Sequence, residues 1–281
     1  MRHLRRVLLA TPAVCFAVLA YAYLTLPDVR PLRGANPSTT AFIDLRAREA
    51  RARGARPKRA QVWIPYNRIS EQLKRVVLVA EDSAFWSHEG IDFEQMQKSM
   101  EINWSVGRFA RGGSTITQQL AKNLYLSPSK NPLRKFREIL LARRLEAELS
   151  KRRILELYLN VIEWGDGIYG AEAATRAYFR RSSSSIGAPE AALLAGAIIN
   201  PRVHSPAHPD ARLRNRQRLI LRRMRWVEPP PPSPTIIPPP EIPALEPLTT
   251  VPGEIPPVEP LPSKPLPSLK PVPHDPIPPD R

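Results

Sequence analysis

The chain has 281 residues, a formal net charge of +16 and one cysteine, Cys15, which excludes an intrachain disulfide. Metal-ligand spacing is missing too: His204 and His208 are four apart, but Pro206 and Pro209 break the helix that would align them. Composition is uneven, with 22 of the 34 prolines in the last 53 residues and a net charge of +19 on residues 1–228 against −3 on the remainder. A basic domain of this kind suits nucleic acid, an anionic membrane surface or a phosphorylated substrate.

Met1-Arg2-His3-Leu4-Arg5-Arg6 is followed by twenty residues without a formal charge, Val7 to Leu26. As a helix that run covers about 30 Å, the thickness of a hydrocarbon core, and the preceding arginines predict a cytoplasmic N-terminus. Ala20-Tyr21-Ala22 resembles a signal-peptide cleavage site, but the apolar run continues past it, favouring a retained anchor over residues 1–27. Residues 28–62 read as a juxtamembrane connector rich in Arg, Ala and Pro, with Ala41-Phe42-Ile43 as a candidate short strand. Its basic run, Arg46, Arg48, Arg51, Arg53, Arg56, Lys58 and Arg59, fits either anionic headgroups or plain solvation.

The folded core is expected over residues 63–228. Leu73, Val77 and Ala80 recur at helical spacing, and Glu81 extends the 73–77 row to the end of an apolar face. Phe85, Trp86 and His88 follow closely, which suggests a cleft. A carboxylate there can cap or pair with arginine, or, partly desolvated, act as a general acid or base with a raised pKa. A second helix, Phe93 to Trp104, carries Lys98.

Next comes Gly112-Gly113-Ser114-Thr115-Ile116-Thr117-Gln118-Gln119-Leu120-Ala121-Lys122-Asn123. Glycines free the backbone, Ser114 or Thr115 can cap a helix, and a helix N-terminus attracts anions. Gln118 and Lys122 then share one face, as do Gln119 and Asn123. The stretch reads either as a phosphate cradle with amides for polar substrate groups or as an ordinary helix start. After a turn-rich loop containing Lys130, a long helix from about Leu133 places Glu138 in one row with Leu141, Leu145 and Leu149. Arg134 and Lys135 precede Glu138 by four and three residues, so taken alone this acid reads best as a structural ion pair. Further helices are expected over 154–160, 171–179, 188–197 and 212–224, with a glycine-punctuated turn at 163–170 and no convincing strand after residue 65. The core is mainly α. The proline-rich tail, 229–281, is expected to be disordered or polyproline II.

Five blocks, in order, carry a family resemblance: Glu81-Asp82-x-x-Phe85-x-x-His88-x-Gly90; Gly112-Gly113-Ser114-Thr115-Ile116-Thr117-Gln118-Gln119; Arg134-Lys135-x-x-Glu138; Ile154-Leu155-x-x-Tyr158-Leu159-Asn160 with Gly165 and Gly170; and Glu190-Ala191-Ala192-Leu193-Leu194-Ala195. Over about residues 63–226 the chain resembles the peptidoglycan glycosyltransferases, above all the monofunctional biosynthetic transglycosylases of Gram-negative bacteria. The resemblance implies a lysozyme-like, largely helical domain that elongates glycan strands from lipid II by inverting β-1,4 transfer, releasing undecaprenyl diphosphate. It implies Glu81 as general base and Glu138 at the diphosphate side. Ser114, Gln118, Gln119, Lys122, Arg134 and Lys135 would form the donor wall, with Lys98 and Lys130 placed there by spacing alone. A divalent cation (Mg or Mn) on the substrate diphosphate is compatible with this chemistry, although the sequence offers no acidic cluster to hold one. The implied partners are lipid II, the nascent strand and the bacterial inner membrane, with the domain periplasmic. The tail departs from the family pattern and reads as a spacer or a docking site for a cell-wall or division protein. A lysozyme-like hydrolase and a non-catalytic cell-wall scaffold are the alternatives. Nucleic acid is disfavoured, since no recognition motif is found and an anchor is expected.

Overall fold

The computed structural model describes residues 12, 14, 16–107, 112–126 and 131–225. Lys130, the expected tail and much of the expected anchor lie outside them. Residues 16–24 are helical, and among the described residues no helix is long and apolar enough to cross a membrane.

The chain then runs α1 (Ala41–Ala52), β1 (Ala60–Gln61), α2 (Glu71–Glu81), α3 (Phe93–Val106), α4 (Ile116–Tyr125), α5 (Pro132–Glu148), α6 (Lys151–Val161), β2 (Glu163–Gly165), β3 (Ile168–Tyr169), α7 (Ala171–Phe179), α8 (Ala188–Ala197) and α9 (Ala211–Arg223). Local chemistry sets many of the starts. Thr40, Asp92, Ser150 and Asp210 each accept a hydrogen bond from the backbone N–H three residues on, satisfying a donor the helix cannot. Asn131 caps α5, with Pro132 at the first position, where a missing N–H costs nothing.

The helices pack in two groups. In one, α2, α8 and α9 pack against one another; in the other, α4 packs on α5 and α6. Leu73, Val76, Val77 and Leu78 of α2 and Ala191, Ala192, Leu194 and Ala195 of α8 are buried. The small residues of α8 permit close helix approach. At Gly196 an added Cβ would sit 2.9 Å from the Leu213 side chain, so the bare backbone lets α9 close onto α8. Asn160 ties the start of the domain to α6: its Nδ2 donates to the Ile64 carbonyl at 2.9 Å, and its Oδ1 accepts from the Ile64 N–H at 2.9 Å.

Two expectations are corrected. Residues 41–43 begin a helix, not a strand, because Thr40 caps it and only Ile43 of α1 is buried, leaving no alternating face. The connector is also less detached than its composition suggested. Val29 and Leu32 join the core cluster singly, without a periodic signal. Secondly, 163–170 is a β2–β3 hairpin, and β1 pairs parallel with β3 to give the strand order β1-β3-β2. Strands of two or three residues carry no readable period-2 pattern.

Candidate active site

Two adjacent acids at the end of α2 have opposite fates. The Asp82 side chain is fully buried; it accepts from the Ile116 N–H at 2.8 Å, at the first turn of α4, and from His88 Nε2 at 3.0 Å. The Gly90 N–H donates to His88 Nδ1 at 3.0 Å, so that nitrogen is the acceptor and Nε2 carries the proton given to Asp82. Gly90 itself has φ 85, and a Cβ there would lie 3.1 Å from the Ala142 carbonyl oxygen. Its own carbonyl accepts from Thr115 Oγ1 at 2.7 Å. A negative charge at the N-terminus of α4 is favourable, and these bonds lock the first motif onto the start of the second.

Glu81 turns away from that network, with its side chain 13% exposed. Gln119 Nε2 donates to its Oε2 at 3.0 Å, and Tyr158 Oη donates to Gln119 Oε1 at 2.9 Å, fixing which way the amide points. On the other oxygen, Arg216 Nη2 of α9 approaches Oε1 at 3.5 Å. Burial pushes the Glu81 carboxyl above the usual carboxylate range, against the opposing pulls of Gln119, Arg216 and Lys122. Burial and the two acids nearby hold the Tyr158 phenol well above its ordinary value, so it remains a donor.

The opposite pole is cationic. Glu138 is 3% exposed and shared between Arg134 Nη1 at 2.8 Å and Lys135 Nζ at 2.5 Å. Lys135 Nζ also reaches Ser114 Oγ at 3.3 Å, joining α5 to the glycine-led stretch. Lys122 of α4 senses Glu138, Arg134, Lys135 and Glu81 together, and its burial lowers its pKa. Its charge therefore lies within electrostatic reach of both acids. Among the described residues no three His, Cys, Asp or Glu side chains gather as a metal site, and Glu138 already serves two cations. This donor set does not fit a divalent ion held by the protein.

Residues 49–225 match the family model described as Transglycosylase. The chain belongs to the transglycosylase family. It is 54% identical over 167 residues to the biosynthetic peptidoglycan transglycosylase of Aromatoleum aromaticum (strain DSM 19018 / LMG 30748 / EbN1), covering 59% of this chain and 73% of that one. Proteins of the same description from Dechloromonas aromatica (strain RCB), 48% identical over 67% of this chain and 82% of theirs, and Methylobacillus flagellatus (strain ATCC 51484 / DSM 6875 / VKM B-1610 / KT), 49% over 69% and 85%, are similar.

Within this transglycosylase the predicted residues divide. Glu81 and Gln119 form one hydrogen-bonded group and Ser114, Arg134, Lys135 and Glu138 another, with Lys122 within electrostatic reach of both. Gln118 instead turns inward, 2% exposed, and closes a capping box with Thr115 through its Oε1 and the Thr115 N–H at 3.0 Å. Lys98 is 59% exposed and pairs with Glu94 on its own helix. Lys130 lies outside the described residues. Sequence reading missed Asp82 as the anchor of α4, Tyr158 as the support of Gln119, and Arg216. The first two stand inside quoted motifs, whereas Arg216 is one of many arginines in its helix, and nothing in its spacing distinguishes it.

Proposed function

We propose that this transglycosylase polymerises peptidoglycan glycan strands from lipid II. The observation that carries the reading is that the same domain holds a largely buried carboxylate, Glu81, and a separate cationic group of Arg134 and Lys135, with Lys122 within electrostatic reach of both. Inverting transfer asks for this separation. Glu81 takes the proton from the acceptor sugar 4-hydroxyl, and that oxygen forms the new bond to the donor anomeric carbon. The bond from that carbon to the lipid diphosphate breaks, and the cations receive the negative charge that develops on the leaving group. Glu138 orients Arg134 and Lys135, and Ser114 extends their hydrogen-bonded wall. A magnesium or manganese ion on the substrate diphosphate is compatible with this chemistry, and among the described residues no cluster of His, Cys, Asp and Glu side chains would hold it.

This reading places the helical domain, lysozyme-like in its use of carboxylates, on the periplasmic side of the bacterial inner membrane behind a single anchor with a cytoplasmic N-terminus. Carbonate extraction and protease accessibility in spheroplasts test that placement. For the reaction, purified full-length protein is incubated with lipid II and, separately, with intact sacculi. Wild type yields polymer from lipid II, and Glu81→Gln falls at least about 100-fold, the usual contribution of a positioned base. Release of muropeptides from sacculi with no polymer from lipid II overturns the proposal in favour of a hydrolase.

A further inference from the structure

The α9 helix enters the site with one side chain. Arg216 Nη2 lies 3.5 Å from Glu81 Oε1, while the other oxygen, Oε2, is hydrogen-bonded by Gln119 at 3.0 Å. The two oxygens are therefore divided between a neutral donor and a charged group. Arg216 Nε is shielded from solvent and has no hydrogen-bond partner, so packing places the guanidinium without a second acid fixing its stem. Gly196 sets how closely α9 approaches: a Cβ there would meet the Leu213 side chain at 2.9 Å, and Arg216 Cγ lies beside it at an ordinary contact distance of 3.6 Å. The Arg216 side chain is 33% exposed, but its Nε is shielded and its head faces a largely buried carboxylate, which sets the pair apart from a fully solvated surface ion pair.

We propose that Arg216 is a positioning residue for Glu81, keeping the carboxylate ionised and its Oε1 presented as the atom that takes the acceptor proton. The inference rests on the reading of Glu81 as the base. In the step, the proton moves from the acceptor 4-hydroxyl to Oε1 as the acceptor 4-oxygen bonds the anomeric carbon and the bond from that carbon to the diphosphate breaks. Oε2 stays with Gln119, whose amide Tyr158 holds in place. The other groups bearing on the carboxylate are Lys122 of α4, Tyr158 of α6 and Asp82, next in the chain. Lys122 is shared with Glu138, Arg134 and Lys135. Arg216 is thus the cation that the diphosphate does not compete for.

The test uses the full chain in detergent with Arg216→Met, Arg216→Gln and Arg216→Lys, recording polymerisation of lipid II from pH 5 to pH 9. For Met and Gln, the acid limb of kcat/KM moves up by about one pH unit, a roughly tenfold loss near pH 6 that largely disappears near pH 8.5. Arg216→Lys restores most of the wild-type profile. A loss equal at every pH, an unchanged profile, or no rescue by lysine overturns the proposal. Titration of the Glu81 carboxyl without substrate, by carbon-13 NMR assigned through Glu81→Gln, separates this inference from the functional reading. An upward shift in Arg216→Gln supports the pairing even if Glu81→Gln still polymerises; no shift overturns it.

Discussion

Glu81 and Asp82 are neighbours in sequence with the same chemical group, and their surroundings give them different work. Asp82 satisfies an α4 backbone N–H and the His88 ring; Asp82→Ala orphans both. Each buried donor left unpaired costs about 1–3 kcal/mol, so this variant is expected to melt several degrees lower and to lose activity through misplacement of α4. Thermal denaturation of wild type and variant checks this. Glu81→Gln is expected to move stability the other way. Folding raises the Glu81 pKa, so the carboxyl favours the folded state most below its unfolded value and penalises it as pH rises through the folded value. The glutamine variant should therefore melt above wild type at pH 8, with the difference vanishing at pH 4. Equal melting temperatures at both pH values would remove the desolvation argument. The sequence placed Glu81 at the end of an apolar helical face, and the resemblance singled it out from Asp82; the contacts from α4, α6 and α9 that make the two surroundings differ are remote in the chain and were not legible.

At the scale of the element, α5 works on two faces. One carries Arg134, Lys135 and Glu138. On another, Arg137 Nη1 and Nη2 donate to Thr25 Oγ1 and its carbonyl at 2.9 Å each, and Arg144 Nη1 reaches the Leu26 and Pro27 carbonyls at 3.4 Å. Arg153 of α6 continues the clasp, donating to the Leu32 and Ala35 carbonyls at 2.8 Å. Replacing Arg137 and Arg144 together with alanine is expected to raise the lipid II KM several-fold with little change in kcat, because α5 loses its brace while Glu81 does not. Steady-state kinetics of the double variant measures this split. Lys122→Ala, by contrast, is expected to lose polymerisation with an unchanged melting profile, since its charge lies within electrostatic reach of both acids. The start of α4 was legible because its cap, Thr115, uses a side chain close in sequence. The β2–β3 hairpin and α1 were not, because two-residue strands and a lightly buried helix leave little periodicity.

For the molecule as a whole, the charge asymmetry concentrates positive potential on the domain that carries the cationic pole, with the acidic excess in residues 229–281. Deleting 229–281 is expected to leave polymerisation within about twofold of wild type, because none of the residues assembled at the cleft comes from it. Pull-downs comparing the two forms then report whether the tail recruits a cell-wall or division partner.

The contact between Arg216 and Glu81 joins residues 135 positions apart, and it reaches from the last described helix back to the first motif. Synthesis runs the other way, so a growing chain holds Glu81 and the cationic group around Glu138 well before α9 emerges. Until then Glu81 lacks its guanidinium, and the faces of α2 and α8 that α9 covers remain wet. A chain halted before residue 211 is expected to be bound by chaperones and inactive toward lipid II. Competence would thus arrive late in translation, as a property of the finished polypeptide.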